Sequence, residues 1–147
     1  MADLQLNLMG DKRVIQKIDR LKRKLRGLRP EMREAGEVLT EEYEKNFPAE
    51  GSRLGSKWQA LRQGTIEQKA KLGYGAQPIL VRTGAMMRNF RKQVRNYSVR
   101  VYNPTPYFKY HQRGDSPQPQ RKMIVLPERL KQEVIAVFTR AISKTIR

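Results

Sequence analysis

Side chains able to perform acid–base or nucleophilic chemistry are scarce in this 147-residue chain. It contains one histidine, His111, and no cysteine. On paper His111 and Asp115 could be combined with a serine into a nucleophilic site, but a histidine hydrogen-bonded within a turn explains them better. No two of the carboxylates beyond residue 50 have the spacing of a metal site or an acid/base pair. The sequence therefore predicts a protein that is not an enzyme.

The remaining ligand chemistry is equally sparse. The ten glycines form no phosphate-binding or dinucleotide-binding pattern. Most of the acidic residues are glutamates of one helical segment, which is interpreted as solvated. We therefore expect no cofactor, no metal and no small-molecule ligand.

Basic residues dominate the composition. The chain has 31 lysines and arginines against 14 acidic residues, a formal net charge of +17. Residues 1–50 carry a net charge of +1 and residues 51–147 carry +16. Such a field attracts polyanions and weakens with salt, so nucleic acid is the first candidate partner. The same positive charge would also attract an acidic surface of a partner protein. The simplest alternative is a basic surface that contacts only solvent.

Six basic residues cluster around a predicted hairpin and are the candidates for facing DNA. They are Arg82, Arg88, Arg91, Lys92, Arg95 and Arg100. Their alternative interpretation is a solvated strand face, or a surface that meets an acidic partner in a ring.

Neither a membrane span nor a secretion signal is expected. No apolar run approaches the ~18 residues that a spanning helix needs. The N-terminus lacks a basic region followed by an apolar stretch. The sequence therefore predicts a protein made and used in a cytoplasm, without a membrane partner.

Hydrophobic periodicity predicts the elements that must position these residues. Alternating leucines over 3–9 predict a strand, and a four-and-three repeat predicts a helix over 12–28. Pro30 is expected to interrupt that helix before a second one over 31–46. The first helix is basic and the second acidic, so they could pair with each other or between neighbouring subunits.

The centre of the chain is predicted to be irregular. Within a single domain spanning 1–147, residues 47–64 and 73–78 are expected as extended loops. Trp58 and Leu61 anchor the first loop, and Trp58 is interpreted as an interface or small-core anchor rather than a base-stacking group. A short helix over 65–72 begins at Thr65, which is a good N-cap.

The C-terminal half is predicted as alternating short elements. They are a helical turn starting at Thr83, a hairpin over 91–95 and 98–103, a helical turn or irregular loop over 107–112, a strand over 123–126, and a last helix that starts at Pro127. Together these elements predict an α+β fold, in which a small antiparallel β-sheet packs with N-terminal helices and a C-terminal helix.

Ordered motifs along the middle of the chain resemble one known family. They are Gly55-Ser56-Lys57-Trp58, Leu61, Thr65 with Lys69, Ile79-Leu80 with Thr83-Gly84, Tyr107 through His111-Gln112 to Gly114, and Arg121 before a strand. In this order and spacing they resemble the phage virion morphogenesis family, also described as tail completion proteins. The sequence departs from the family where such proteins show Arg-Pro-Phe, because here it has Arg121-Lys122-Met123.

The resemblance implies a structural role in a tailed double-stranded DNA phage. Proteins of this kind complete tails or join heads to tails, and are similar to neck proteins that assemble as rings, commonly with six-fold symmetry. It implies a homo-oligomeric ring, expected as a hexamer, around the DNA path, with a tail terminator or head-completion protein as neighbour. The expected location is the neck or tail of the virion, after assembly in the host cytoplasm.

Two further expectations complete the sequence-based picture. Trp58, Leu61, Tyr107 and His111 are expected to act as interface or packing anchors. The alternative function is a stand-alone basic nucleic-acid-binding protein, for which the charge beyond residue 50 is the motivation.

Overall fold

The computed structural model of the chain describes residues 12–75, 78–115, 117 and 119–147, which form helices and one hairpin. The helices are α1 Lys12–Leu25, α2 Arg29–Asn46, the 3-10 helix Ser52–Leu54, α3 Gln63–Lys71, α4 Ala85–Arg88, α5 Phe108–Arg113 and α6 Glu128–Ile146. The strands are β1 Arg91–Val94 and β2 Val99–Tyr102. The predicted α+β class is confirmed. The predicted strand over 3–9 lies outside the described residues.

Helices α1, α2 and α6 form the helical side of the molecule. Helix α1 packs on α6, and α6 packs on α2. Pro30 lies in the first turn of α2, where a missing backbone N–H costs nothing, so the helix that begins at Arg29 accommodates it. Lys24 of α1 and Glu31 of α2 form an ion pair at the junction. The two helices do not otherwise lie side by side, because α1 lies against α6.

The hairpin packs one face against α2. Its antiparallel register pairs Lys92 with Val101 and Val94 with Val99. These residues share the inner face, and Gly36 of α2 lies beneath them. A Cβ at Gly36 would lie only 2.8 Å from Cγ2 of Val99, so the glycine permits the close approach of helix and sheet.

The core lies between α2, the hairpin and the loops that follow α2. Phe47 packs edge-to-face on Trp58 at 5.2 Å between ring centroids, and Phe90 packs likewise on Phe108 at 5.8 Å. The buried cluster comprises Tyr43, Phe47, Leu54, Trp58, Ile79, Met86, Phe90, Phe108, Met123 and Leu130. Five of these ten side chains are aromatic, so ring packing dominates the apolar contacts.

The segment predicted as a strand over 123–126 is not a strand, which corrects the sequence-based sheet. Its hydrogen bonds go to a side chain instead. The Oε1 atom of Gln112 accepts from the N–H groups of Met123 (2.8 Å) and Ile124 (3.0 Å), and its Nε2 atom donates to the Ile124 carbonyl (2.9 Å). Since one amide side chain satisfies these groups, the segment packs in the core without a neighbouring strand.

The loops predicted over 47–64 and 73–78 can be compared with the structure, and the first of them is not extended throughout. Residues 47–64 include the 3-10 helix and the first residues of α3. Glycines flank the 3-10 helix on both sides, with φ of +88° at Gly51 and +79° at Gly55. Residues 73–75 and 78 of the second loop are described, and α3 precedes them.

Candidate functional site

The hairpin separates the basic candidates onto different faces. In the register of β1 and β2, Arg91, Arg100 and Tyr102 share the outer face, and Lys92 lies on the inner face. The ammonium group of Lys92 donates to Glu37 of α2 at 3.1 Å. The guanidinium of Arg100 lies 5.3 Å from the ring centroid of Tyr102. Lys92 therefore ties the sheet to the helix, while the outer face remains open.

Arg95 lies at the turn of the hairpin, and like Arg91 it is exposed. Among the described residues, neither side chain forms an ion pair, and neither forms a side-chain hydrogen bond. The outer face with the turn is called the hairpin cation face from here on, defined by Arg91, Arg95 and Arg100. It is the part of the predicted basic cluster that the structure keeps together.

Arg82 and Arg88 lie away from the strands, at the turn around Thr83-Gly84. The Nη2 atom of Arg88 donates to the Thr83 carbonyl at 2.9 Å, and its guanidinium covers Gly84. The guanidinium of Arg82 lies 4.9 Å from the ring centroid of Tyr74. Arg88 is therefore fixed to the turn, whereas Arg82 contacts the segment that follows α3.

A cleft of about 370 Å³ opens beside this turn. It lies between α3, the segment before α4, and α5, and we call it the Lys69 cleft. Its lining residues are Lys69, Leu80, Val81, Arg82, Thr83, Gly84, Ala85, Met86, Tyr107 and His111. Six of them belong to the motifs that carry the family resemblance, so the folded chain brings those separated motifs to one place.

Lys69 and Arg82 are the two cationic residues among those that line the Lys69 cleft. The Nζ atom of Lys69 donates to the Val81 carbonyl at 3.4 Å. Burial lowers the pKa of Lys69, the positive charge of Arg82 lowers it further, and Glu50 acts in the opposite sense. The Oγ1 atom of Thr83 accepts from the N–H of Ala85 at 3.2 Å, which shapes the turn before α4.

His111 forms the inner side of the Lys69 cleft. It is partly buried, and its Nδ1 atom has no hydrogen-bond partner among the described residues. Burial lowers the pKa of His111, and the charge of Arg121 lowers it further, so the neutral ring is favoured. The described part of the chain holds no group of His, Cys, Asp or Glu side chains that could bind a metal ion.

The four expected anchors occupy different environments. Trp58 is 3% exposed and lies in the core, and Leu61 packs partly buried against it. The Trp58 Nε1 atom donates to the Lys122 carbonyl at 2.9 Å. Tyr107 is 49% exposed at the edge of the Lys69 cleft, and His111 lines its inner side.

Arg121 has a role that sequence reasoning did not identify. Although it is an arginine, only 4% of it is exposed. Its Nε atom donates to the Gln59 carbonyl (3.0 Å) and its Nη2 atom to the Ala60 carbonyl (3.3 Å). The N–H of Arg121 donates to the His111 carbonyl at 2.8 Å. The residue thus joins the Trp58 loop to α5, and its place in the family motifs is the only signal in the sequence.

Glu42 corrects the interpretation of the α2 glutamates as solvated. It is 6% exposed and accepts from Arg53 at 2.7 and 3.0 Å and from Arg129 at 2.8 Å. These hydrogen bonds and charges lower the pKa of Glu42, with Arg53 the largest cause. Its spacing in the sequence resembles that of its exposed neighbours, so no local signal distinguishes it.

Comparison with known proteins gives one family match. Residues 9–139 match the Phage virion morphogenesis family. Neither the curated proteins nor the solved structures provide a significant match. No helix in the described part of the chain is long and apolar enough to cross a membrane.

Proposed function

This chain belongs to the phage virion morphogenesis family, and from that premise we propose that it is a tail-completion or neck subunit. Membership in this family implies a structural or assembly role in a phage virion. The proposal adds that copies of the chain form a ring, expected as a hexamer, that joins head and tail around the DNA path. In this role the chain works through contact surfaces and performs no catalysis.

The observation that supports the DNA-path part of the proposal is the hairpin cation face. Several carboxylates of α2 already bind cations within the chain, as Glu34 binds Arg140 and Glu37 binds Lys92. Arg91 and Arg95 are exposed and have no such partner among the described residues. Exposed arginines such as these attract the phosphates of duplex DNA and partly neutralise their charge. Contacts to phosphates carry no sequence information, so such a surface could hold any DNA sequence.

Electron microscopy of particles that lack the protein tests the assembly role. We expect heads and tails that remain unjoined or tails that are unfinished. Normal, infectious particles would overturn the proposal. Labelled protein in complete particles should be found at the neck or tail, next to a tail terminator or head-completion protein.

Charge reversal on the hairpin tests the DNA-path part. The variant R91E/R95E/R100E is compared with K17E/R20E/R23E, which reverses three exposed charges on α1. We expect the hairpin variant to form particles that lose packaged DNA or infectivity, and the α1 variant to do so far less. Equal effects would show that net charge alone, rather than the hairpin, matters.

A stand-alone nucleic-acid-binding protein is the second candidate, because residues 51–147 carry a net charge of +16. It requires tight duplex binding by the isolated chain, with log affinity falling against log salt at about −0.9 per phosphate contacted. Weak binding that strengthens only when the chain oligomerises would favour the ring.

A further inference from the structure

A second cleft, of about 380 Å³, adjoins the Lys69 cleft, because Leu80 and His111 line both of them. We call it the Arg121 cleft, and its lining includes Arg62, Thr65, Gln68, Leu80, His111 and Arg121. Among the described residues no carboxylate lines it. It is therefore a concave site in which the arginines carry the only permanent charge.

Arg121 is the unusual member of this lining, because it is a charged residue of which only 4% is exposed. Its Nε–H and one N–H of Nη2 donate to the carbonyls of Gln59 and Ala60. Its Nη1 and the second N–H of Nη2 have no partner among the described residues, and no carboxylate there pairs with it. Buried charges in proteins are normally paired, because removing them from water is costly. Arg121 thus keeps a buried positive charge and free N–H groups at a cleft.

His111 contributes another polar atom without a partner. Its Nδ1 is buried and forms no hydrogen bond among the described residues. The carbonyl of His111 accepts from the N–H of Arg121 at 2.8 Å, so the two residues are held next to each other. A neutral imidazole that carries its proton on Nδ1 is a donor there. The two neighbours therefore line one cleft with polar groups that the described chain leaves unpaired.

The unpaired groups fit a carboxylate. A guanidinium is planar, and two of its N–H groups match the two oxygens of a carboxylate. The rest of the lining includes the apolar residues Leu61, Leu80, Pro117 and Pro119. Such a lining suits an acidic side chain with apolar neighbours in its own segment. The phosphates of a duplex lie on a convex surface, which suits the open hairpin cation face better than a nearly buried arginine.

We propose that the Arg121 cleft binds a carboxylate side chain from a different protein of the assembly. The carboxylate accepts from the unpaired N–H groups of Arg121 and from Nδ1 of His111, and the exposed Arg62 adds attraction. The net charge of +17 makes a second copy of this chain a repulsive partner and favours an acidic protein. This inference rests on the proposed function, because it requires an assembly neighbour.

Binding of a blocked peptide to the full-length chain tests this assignment. The probe is N-acetyl-Leu-Glu-Leu-amide, and the control peptide has glutamine in place of glutamate. We expect the glutamate peptide to bind about tenfold more tightly at low salt, as a charge-assisted pair requires. In NMR spectra the shifted backbone amides should belong to Leu61, Gln68, His111 and Arg121. Equal affinities, or shifts confined to the hairpin, would overturn the proposal.

Two substitutions and a matched control locate the site. We expect R121K to weaken the glutamate peptide at least about fivefold, because an ammonium keeps the charge but lacks the planar fork. R62A should weaken it about threefold, and R95A, which removes an exposed cation elsewhere, less than about twofold. If R121K does not fold, as judged by its spectrum, R62A still decides the matter. Wild-type affinity in a folded cleft variant would contradict the inference.

The guanidinium of Arg121 can also be observed directly in the unmodified chain. We expect its Nη–H signals to shift and to exchange more slowly with water when the glutamate peptide is added, and to stay unchanged with the glutamine peptide. Signals that respond equally to both peptides would mean that no carboxylate reaches Arg121, which would overturn the proposal even without any substitution.

Two further results would reassign the site. If a short DNA duplex at the same concentration displaces the peptide and shifts the same amides, the cleft binds phosphate and the carboxylate assignment is wrong. If those amides shift without peptide as the chain is concentrated, the occupant is a second copy and the assignment to a different protein is wrong.

The outcome is separable from that of the proposed function. All of these measurements use the isolated chain, so their failure leaves the ring proposal to the particle experiment. Failure of the particle experiment with successful peptide binding would instead remove the neck assignment and keep the Arg121 cleft.

Discussion

At the level of single residues, Gln112 and Arg121 hold together segments that are far apart in the sequence. Gln112 bonds the backbone of Met123 and Ile124 with both ends of its amide, and Arg121 bonds the carbonyls of Gln59 and Ala60. Leaving such buried groups without partners costs about 1–3 kcal/mol each. The motif residues that a sequence comparison would treat as functional are therefore also structural.

Two glycines that flank the 3-10 helix provide a matched pair of substitutions. Both have positive φ, but a Cβ at Gly51 would lie 2.0 Å from the Ser56 carbonyl oxygen, whereas a Cβ at Gly55 meets nothing within 4 Å. We expect G55A to lower the free energy of unfolding by about 1 kcal/mol through backbone strain alone. G51A should cost at least about 3 kcal/mol, because the backbone must also move. Urea unfolding of the two variants measures the difference, and equal losses would contradict it.

His111 predicts a pH dependence of stability. Its pKa is lowered from 6.5 in the folded chain by burial and then by Arg121. The unfolded chain therefore binds more protons near this pH, and the free energy of unfolding rises with pH. We expect stability to fall as the pH drops below about 6.5. Urea unfolding between about pH 5 and pH 7.5 should show this slope, and H111N should remove it.

The carboxylate of Glu42 supplies a separate control when the same titration is extended below pH 4.5. Arg53 and Arg129 lower the pKa of Glu42 from 4.5, so its contribution is present above that pH and is lost as the pH falls further. The slope below about pH 4.5 should therefore remain in H111N. A histidine variant that keeps the whole slope between pH 5 and pH 7 would exclude His111 as its source.

Among the elements, α2 is central, since it contacts α6, both strands, the 3-10 helix and α4. Glu42 carries two of these contacts, because its carboxylate binds Arg53 of the 3-10 helix and Arg129 at the start of α6. Both arginine side chains remain partly exposed. Removing one partner of this network should therefore cost less stability than breaking a fully buried ion pair.

Substitution of Glu42 tests the importance of this network. We expect E42Q to lower the free energy of unfolding by about 2 kcal/mol, because charged hydrogen bonds to two arginines are weakened. The control is E41Q, since Glu41 is exposed and, within the described residues, pairs only with Lys45 on the same helix. Its cost should stay within about 0.5 kcal/mol. Chemical unfolding of the two variants gives the comparison, and similar losses would show that the Glu42 network adds little.

For the molecule as a whole, charge repulsion opposes the folded state. The formal net charge is +17, and several carboxylates that could offset it are concentrated on α2. Compact chains far from neutrality are destabilised by this repulsion, and salt screens it. The same surplus is available to a polyanion or to an acidic neighbour in the assembly.

Salt therefore should stabilise the isolated chain. We expect Tm to rise by several degrees between about 50 mM and 0.5 M sodium chloride, because screening shortens the Debye length well below the molecular diameter. Potassium chloride serves as the control for ion-specific effects. A fall in Tm would mean that the attractive ion pairs outweigh the repulsion.

Local patterns in the sequence predicted much of the regular structure. The periodic apolar residues of α1, α2 and α6 and the alternating valines of the hairpin are short-range signals, and each produced the expected element within a few residues of its bounds. The ordered motifs from Gly55 to Arg121 likewise indicated the family that residues 9–139 match. Composition and net charge limited the candidate functions in the same way, because both can be counted from the sequence without knowing the fold.

Only the tertiary structure decided where these motifs meet. The strand predicted over 123–126 failed because its hydrogen bonds go to Gln112 rather than to another strand. Glu42 is buried because Arg53 and Arg129, 11 and 87 residues away, converge on it. Lys69, Arg82 and His111 form one cleft although 42 residues separate the first from the last. Periodicity reports which face of an element is apolar, whereas the partner of a polar group depends on which distant segments packing brings into contact.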